Sequence, residues 1–337
     1  MIITRTPLRV SFVGGGTDFR DFYHKEVGEV ISTTIDKYVY VILKERYDSQ
    51  ICVNYSKREI VQNIDQIEHE LIREAMRKTA ITCGIEITTL ADIPVHGSGL
   101  GSSSCLTVGV LNALYVYQGI QKTAENLARE ACEIEIDILG KPIGKQDQYI
   151  CAYGGLRHIQ FRADESVVVE TVDIDEDMKR VLNANTLLFY TGIERQSTDI
   201  LTEQKRNIRD NFKDLYKLKS LVHQFKMTLV NPRVIFSDFR RSSRDSEAFG
   251  DLLHRNWELK QNLASKISNA QINKIYDLAL ESGAQGGKLL GAGGGGFFLF
   301  CAPPEKHGAI RKRLSELQEF AFNLECNGSQ VIFNIRR

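Results

Sequence analysis

Residues 92–104, DIPVHGSGLGSSS, set three spaced glycines between a predicted strand and a helix with almost no polar face. In that helix, residues 105–117, only Thr107, Gly109 and Asn112 interrupt the apolar run. Every face must therefore be covered, so the chain has to build layers around it. Gly97, Gly99 and Gly101 reach dihedrals closed to other residues, which lets consecutive N–H groups turn inward. Ser102, Ser103 and Ser104 follow at the positive end of the helix, where cap side chains and free amides add together. Such a loop suits phosphate, although a turn before a well-capped helix reads the same when taken alone. No Lys-Ser/Thr pair follows the last glycine, so it is not a Walker A loop. The G-x-G-x-G spacing, with no acidic residue closing a second strand about 20 residues later, argues against a dinucleotide site.

At 337 residues the chain is long enough for two domains of roughly 100–200 residues each. Lys plus Arg and Asp plus Glu both number 43, so no global field draws it to nucleic acid or anionic lipid. No stretch approaches the ~20 apolar residues of a membrane span, and MIITRTPLRV lacks the look of a leader, so a cytoplasmic protein is expected. The seven cysteines form no CxxC pair and read as reduced core residues; the seven histidines show no zinc spacing. A bound metal is expected to be magnesium on oxygen ligands.

Strands are predicted at residues 2–13, 38–45, 85–90, 156–161 and 167–172, with helices at 65–79, 123–139 and 175–182. A fresh apolar strand, NTLLFY, begins at Asn185, which sets the expected domains at 1–184 and 185–337. The second part is helical and charged, then closes with strand 297–301, a helix near 305–320 and strand 330–335. Strands and helices in segregated groups indicate an α+β protein.

Three further blocks carry chemistry. In PLRVSFVGGGTDF, Gly14, Gly15 and Gly16 break a strand and present Asp18, a ligand for sugar hydroxyls or a helix N-cap. Arg9, within that strand, is a phosphate ligand or a salt-bridge residue. On helix 123–139, a 100° wheel groups Glu130, Glu133 and Asp137 as a solvated face, while Glu135 falls beside Ala128, Ala131 and Cys132. Glu135 is thus a magnesium ligand or half of a buried salt bridge. In the following GKPIGKQDQY, Asp147 is a candidate general base, or a cap. Last, QGGKLLGAGGGGFFLF joins Lys288, a candidate phosphate ligand, to four glycines, Gly293 to Gly296, whose backbone must meet a ligand or another backbone.

Taken together, the four blocks resemble, in order and over almost the whole chain, the motifs of the GHMP kinases: PLRVSFVGGGTDF, HGSGLGSSS, GKQDQY and KLLGAGGGG. The resemblance implies a two-domain α+β fold, with a ribosomal-protein-S5-like N-terminal domain, a ferredoxin-like C-terminal domain and the active site between them. It implies that ATP lies on Gly97, Ser98, Gly99, Leu100, Gly101, Ser102, Ser103 and Ser104, with Mg2+ on Ser103 and Glu135. Asp147 and Arg9 would be catalytic, and Gly15, Gly16, Asp18, Lys288, Gly293, Gly294 and Arg195 would bind the acceptor. Phosphoryl transfer needs mainly positioning and charge neutralisation, which these residue types supply.

Gly15-Gly16 stand where galactokinases carry Glu-His, leaving room for a larger acceptor. The base loop is one residue longer than in mevalonate kinases, and Ser104 replaces a usual alanine. The motifs are most similar to the bacterial D-glycero-D-manno-heptose 7-phosphate kinase branch, which implies phosphorylation of an anomeric hydroxyl. Arg195 and the group Arg240, Arg241 and Arg244 are candidates for the acceptor's existing phosphate. The expected partner is a small-molecule sugar phosphate, with no nucleic acid and no membrane, and a homodimer is compatible with this reading. Two alternatives share the fold: a fucokinase-like kinase of an unphosphorylated sugar, and a catalytically silent sugar sensor. A sensor has no need of Arg9, Asp147 and a complete glycine loop together.

Overall fold

The computed structural model describes residues 1–94, 97–193, 197–230 and 249–335. The chain begins with β1 (Ile2–Val13), a short helix α1 (Arg20–Tyr23) and an 18-residue strand β2 (Gly28–Glu45), more than twice the length expected from its apolar part. Two four-residue strands follow, β3 (Ile51–Asn54) and β4 (Arg58–Val61), neither of which the alternation predicts. Helix α2 (Glu70–Lys78), β5 (Ile85–Ala91) and α3 (Ser102–Tyr117) come next. Helix α4 (Ala124–Cys132) runs into a π-helical stretch, Glu133–Ile138, followed by α5 (Gln146–Tyr153), β6 (Leu156–Phe161), β7 (Val167–Thr171) and α6 (Glu176–Ala184). The later half holds β8 (Thr186–Tyr190), α7 (Ser197–Arg206), α8 (Phe212–Val230), α9 (Phe249–Gln261), α10 (Ala270–Glu281), β9 (Gly286–Leu289) and β10 (Phe297–Cys301). Helix α11 (Pro304–Arg313) is shorter than expected, and β11 (Gln318–Glu319), β12 (Leu324–Glu325) and β13 (Gln330–Asn334) end the chain.

The strands form two sheets, so the α+β expectation holds. One runs β13-β1-β2-β5-β3-β4, with β6 and β12 also paired to the long β2 and β7 paired to β6; the other runs β11-β8-β10-β9. Because β12 and β13 return to the first sheet, sheet membership does not follow the division at residue 184. Helix α3 packs on β1 and β2 on one side and touches α2, α4 and α5 on others, which covers all its faces as its composition requires. From the later half, α8 and α9 reach β1, where Phe12 lies against Phe225 and Phe249 with ring centroids 5.2 and 5.6 Å away.

Contrary to the expectation of seven reduced cysteines, Cys105 and Cys151 are joined as a disulfide between α3 and α5, with Cα atoms 5.5 Å apart. The packing of two helices distant in sequence brings them together, and no spacing motif announces it. Glu130 also departs from expectation. It is 6% exposed and accepts from Tyr115 Oη at 2.5 Å and Lys122 Nζ at 2.9 Å. Neighbouring α3 and its loop cover a face that polarity alone assigns to solvent. No helix among the described residues is long and apolar enough to cross a membrane.

Candidate active site

Strand alternation aims the first residues of the site. Along β1, Leu8, Val10 and Phe12 face the core, while Arg9 and Ser11, on the other face, line a cavity of about 540 Å³. Pairing of β1 with β2 shifts register between Pro7 and Arg9 and again between Ser11 and Val13, irregularities that re-aim this stretch. The Arg9 guanidinium donates to both Asp147 oxygens, Nε to Oδ1 at 2.7 Å and Nη2 to Oδ2 at 2.8 Å. Its Nη1 donates to the Gly99 carbonyl at 2.5 Å, and its backbone N–H donates to Leu100 O at 3.1 Å. One arginine thus ties the first strand, the glycine loop and the candidate base into a charge-assisted unit. Asp147 keeps 26% of its side chain exposed to the cavity, and Gln146 Nε2 donates to its Oδ1 at 3.2 Å.

In the glycine loop, Gly97, Gly99 and Gly101 have φ of 69°, 76° and 77°. Gly101 is the N-cap of α3 and no side chain caps it. Ser102, Ser103 and Ser104 are therefore the first turn rather than the cap, and their amides belong to the set without intrahelical acceptors. These serines line the cavity together with Gly97, Ser98, Gly99 and Gly101; Leu100 is buried and lines none of it.

The second glycine run packs against this loop. A Cβ on Gly291 would stand 2.5 Å from Gly99 Cα, and one on Gly296 would stand 2.5 Å from Ser98 O. The close approach read from Gly293 to Gly296 is thus a backbone contact. Gly293 and Gly294 meet Ile267, whose carbonyl accepts from Gly294 N at 2.7 Å, and they do not line the cavity; Gly291 and Ala292 do.

Glu135 is fully buried at the cavity wall. Its Oε2 accepts from Ser104 Oγ at 3.1 Å, and its Oε1 has no hydrogen-bond partner. Burial raises its carboxyl to about 7, against the opposing charge of Lys141 and the nearby hydroxyls of Thr107 and Ser104. Lys141 itself pairs with Glu70 at 2.9 Å, and no ion pair to Glu135 is present among the described residues. A buried carboxylate with one orphaned oxygen, on the wall it shares with the glycine loop, fits a hard divalent cation. The hydroxyl bonded to Glu135 is that of Ser104; Ser103 is exposed on the same wall.

At the other end, Asp18 does not cap α1, whose N-cap is Phe19. Its carboxylate accepts from Gly16 N at 3.0 Å and Gln146 N at 3.2 Å, bridging the first glycine break to the base segment. Burial, with the Asp147 charge beside it, raises the Asp18 carboxyl above its ordinary 3.8. Lys288 is on the cavity wall but is committed to the fold, its Nζ donating to Phe12 O at 2.8 Å; burial, then the Arg9 charge, lowers its ammonium to about 7. Gly15 and Gly16 both line the cavity. A Cβ on Gly15 would find only Ser11 Oγ, at 3.7 Å, whereas the space at Gly16 is filled by the Gln204 amide. Arg195, Arg240, Arg241 and Arg244 lie outside the described residues. Lys141, Lys260, Thr198 and Gln204 also line the cavity; they stand in ordinary helical and loop context, and no motif marks them in the sequence.

Amides that can cradle phosphate stand one guanidinium away from a partly open carboxylate, the proximity that phosphoryl transfer to a hydroxyl requires. The fold and the site together define a small-molecule kinase. The family model for the GHMP kinases N terminal domain matches residues 66–155 and that for GHMP kinases C terminal matches 235–319. The chain belongs to the GHMP kinases. It is 31% identical to the D-glycero-alpha-D-manno-heptose 7-phosphate kinase of Campylobacter jejuni, over 96% of this chain and 97% of that one. It is 26% identical to the galactokinase of Pyrococcus furiosus, over 90% of each. A crystal structure of a D-glycero-D-manno-heptose 1-phosphate kinase from Bacteroides thetaiotaomicron shares the fold with a TM-score of 0.81 at 24% identity, covering 100% of both chains.

Proposed function

We propose that this kinase transfers the γ-phosphoryl group of ATP to the anomeric C1 hydroxyl of D-glycero-D-manno-heptose 7-phosphate, giving the 1,7-bisphosphate for nucleotide-activated heptose synthesis. The observation that carries the reading is the bidentate Arg9–Asp147 pair, set between the glycine loop and the Asp18 end of the cavity. The choice of acceptor is supported by the heptose 7-phosphate kinase relative.

Asp147 takes the proton of the C1 hydroxyl as its oxygen bonds to the γ-phosphorus and ADP leaves. Arg9 keeps that carboxylate aimed and adds positive charge near the transferring group. The loop from Gly97 to Ser104 holds the phosphates, and Asp18 accepts hydrogen bonds from sugar hydroxyls. Glu135 with Ser103 would hold Mg2+, a role the orphaned Glu135 oxygen supports; bound there, it would neutralise phosphate charge.

Phosphorus NMR of the protein with ATP, Mg2+ and a panel of heptoses, hexoses and their phosphates tests the reading. A new anomeric phosphate on heptose 7-phosphate is the expected signal. Asp147→Asn should lower turnover at least ~100-fold with ATP affinity retained. Transfer to unphosphorylated sugars alone would overturn the choice of acceptor, and tight sugar binding without transfer would mark a sensor.

A further inference from the structure

We infer that Gln204 reads a hydroxyl of the acceptor and sets acceptor specificity. The inference rests on the proposed acceptor kinase reading and extends it to a residue on α7.

Gln204 is 5% exposed and lines the cavity, and its side-chain amide makes no hydrogen bond to another described residue. A side-chain amide offers two donors and an acceptor oxygen, and on a cavity wall these can meet the hydroxyls of a ligand. On the same wall Lys288 is taken up by the Phe12 carbonyl, whereas each Asp18 oxygen accepts one backbone amide and keeps a further lone pair. The Gln204 Nε2 stands 2.8 Å from where a Cβ on Gly16 would lie, so the amide is held against the glycine break that also carries Asp18.

Helical spacing explains how the later half delivers it. Ser197, Leu201 and Gln204 recur at intervals of four and three along α7, which sets them on one face, and all three line the cavity. An amide and a carboxylate converging from different parts of the chain suit a polyhydroxylated acceptor, whose hydroxyls both donate and accept. A site that hydrogen-bonds a particular hydroxyl rejects an analogue lacking it far more strongly than an apolar wall does.

The test is steady-state kinetics on Gln204→Leu and Gln204→Glu, the second keeping the shape while removing both N–H donors. The acceptor is whichever panel member the wild type phosphorylates, with its single-deoxy analogues. Expected for Gln204→Leu is an acceptor KM raised tenfold or more, an ATP KM within twofold, and a deoxy penalty that shrinks at one ring position only. Thermal melts of both variants should match the wild type, which separates recognition from a folding defect. An unchanged acceptor KM, equal losses for ATP and acceptor, or an undiminished deoxy penalty in both variants overturns the inference alone. Failure of the wild type to phosphorylate any panel member overturns the proposed function and this inference with it.

Discussion

Glu135 shows how far burial changes a side chain whose neighbours in sequence look ordinary. Its carboxyl ordinarily titrates at 4.5 and is raised to about 7 in the folded protein. The folded state therefore binds the proton more tightly than the unfolded chain, and stability falls as pH rises between those values. Without divalent cations, Glu135→Gln should be more stable than the wild type at pH 8, by on the order of 1–3 kcal/mol, with the gap closing toward pH 5. Thermal melts at the two pH values read this directly. A wild type more stable than the variant at pH 8 would mean that the carboxylate is compensated in the cation-free protein. The same substitution should remove most of the magnesium dependence of turnover. Of the residues singled out from sequence, Arg9, Asp18, Glu135 and Asp147 converge on one cavity. Each follows or precedes a glycine break or lies on a helix whose periodicity can be read locally. Which serine meets Glu135 was not legible, because a one-residue step along α3 changes the direction of the hydroxyl.

The glycine runs are complementary surfaces that hold the site's backbone in position. Gly296 has φ of +93°, and its Cβ would fall 2.5 Å from Ser98 O and 2.7 Å from Gly97 O. Gly296→Ala should therefore push on the phosphate loop, raise the KM for ATP several-fold and cost roughly 1–3 kcal/mol of stability. Nucleotide titration and chemical denaturation measure the two effects. Periodicity read the long elements well and the short or irregular ones poorly. Strand β1 and the all-apolar β10 are found where alternation and apolar runs predict them. The first half of β2 was missed because STTID is too polar to read as buried, although β1 and β6 flank it on both edges. Strand β3 owes its existence to pairing with β5 and β4, and β4 to pairing with β3, and four residues carry too little pattern. Helix 123–139 ends in a π-helical turn, so a regular wheel does not describe the stretch holding Glu135.

The chain closes on its own beginning. Strand β13 covers the edge of β1, Thr6 and Ser329 share a hydrogen bond of 2.8 Å, and a Cβ on Gly154, at the end of α5, would meet Asn327 at 2.0 Å. Removing residues 322–337 should thus destabilise the first sheet and the helix bearing Asp147 together. A fall in melting temperature of several degrees, with loss of turnover, is expected from calorimetry and a kinase assay. A truncated protein that melts and turns over like the full chain would show that the returning strands are dispensable.

Read along the chain, local patterns were sufficient for the α+β class, the long strands β1 and β10, and the left-handed glycine turns of the loop at residues 97–104. These depend on spacing over a few residues, where glycine dihedrals, alternation and helical periodicity act. Only the folded chain decided that Arg9 pairs with Asp147, that Gly291 and Gly296 back the glycine loop, that Cys105 meets Cys151, and that Gln204 rather than open space stands beside Gly16. Those contacts join segments far apart in sequence, and packing selects them without leaving a repeating trace in either partner.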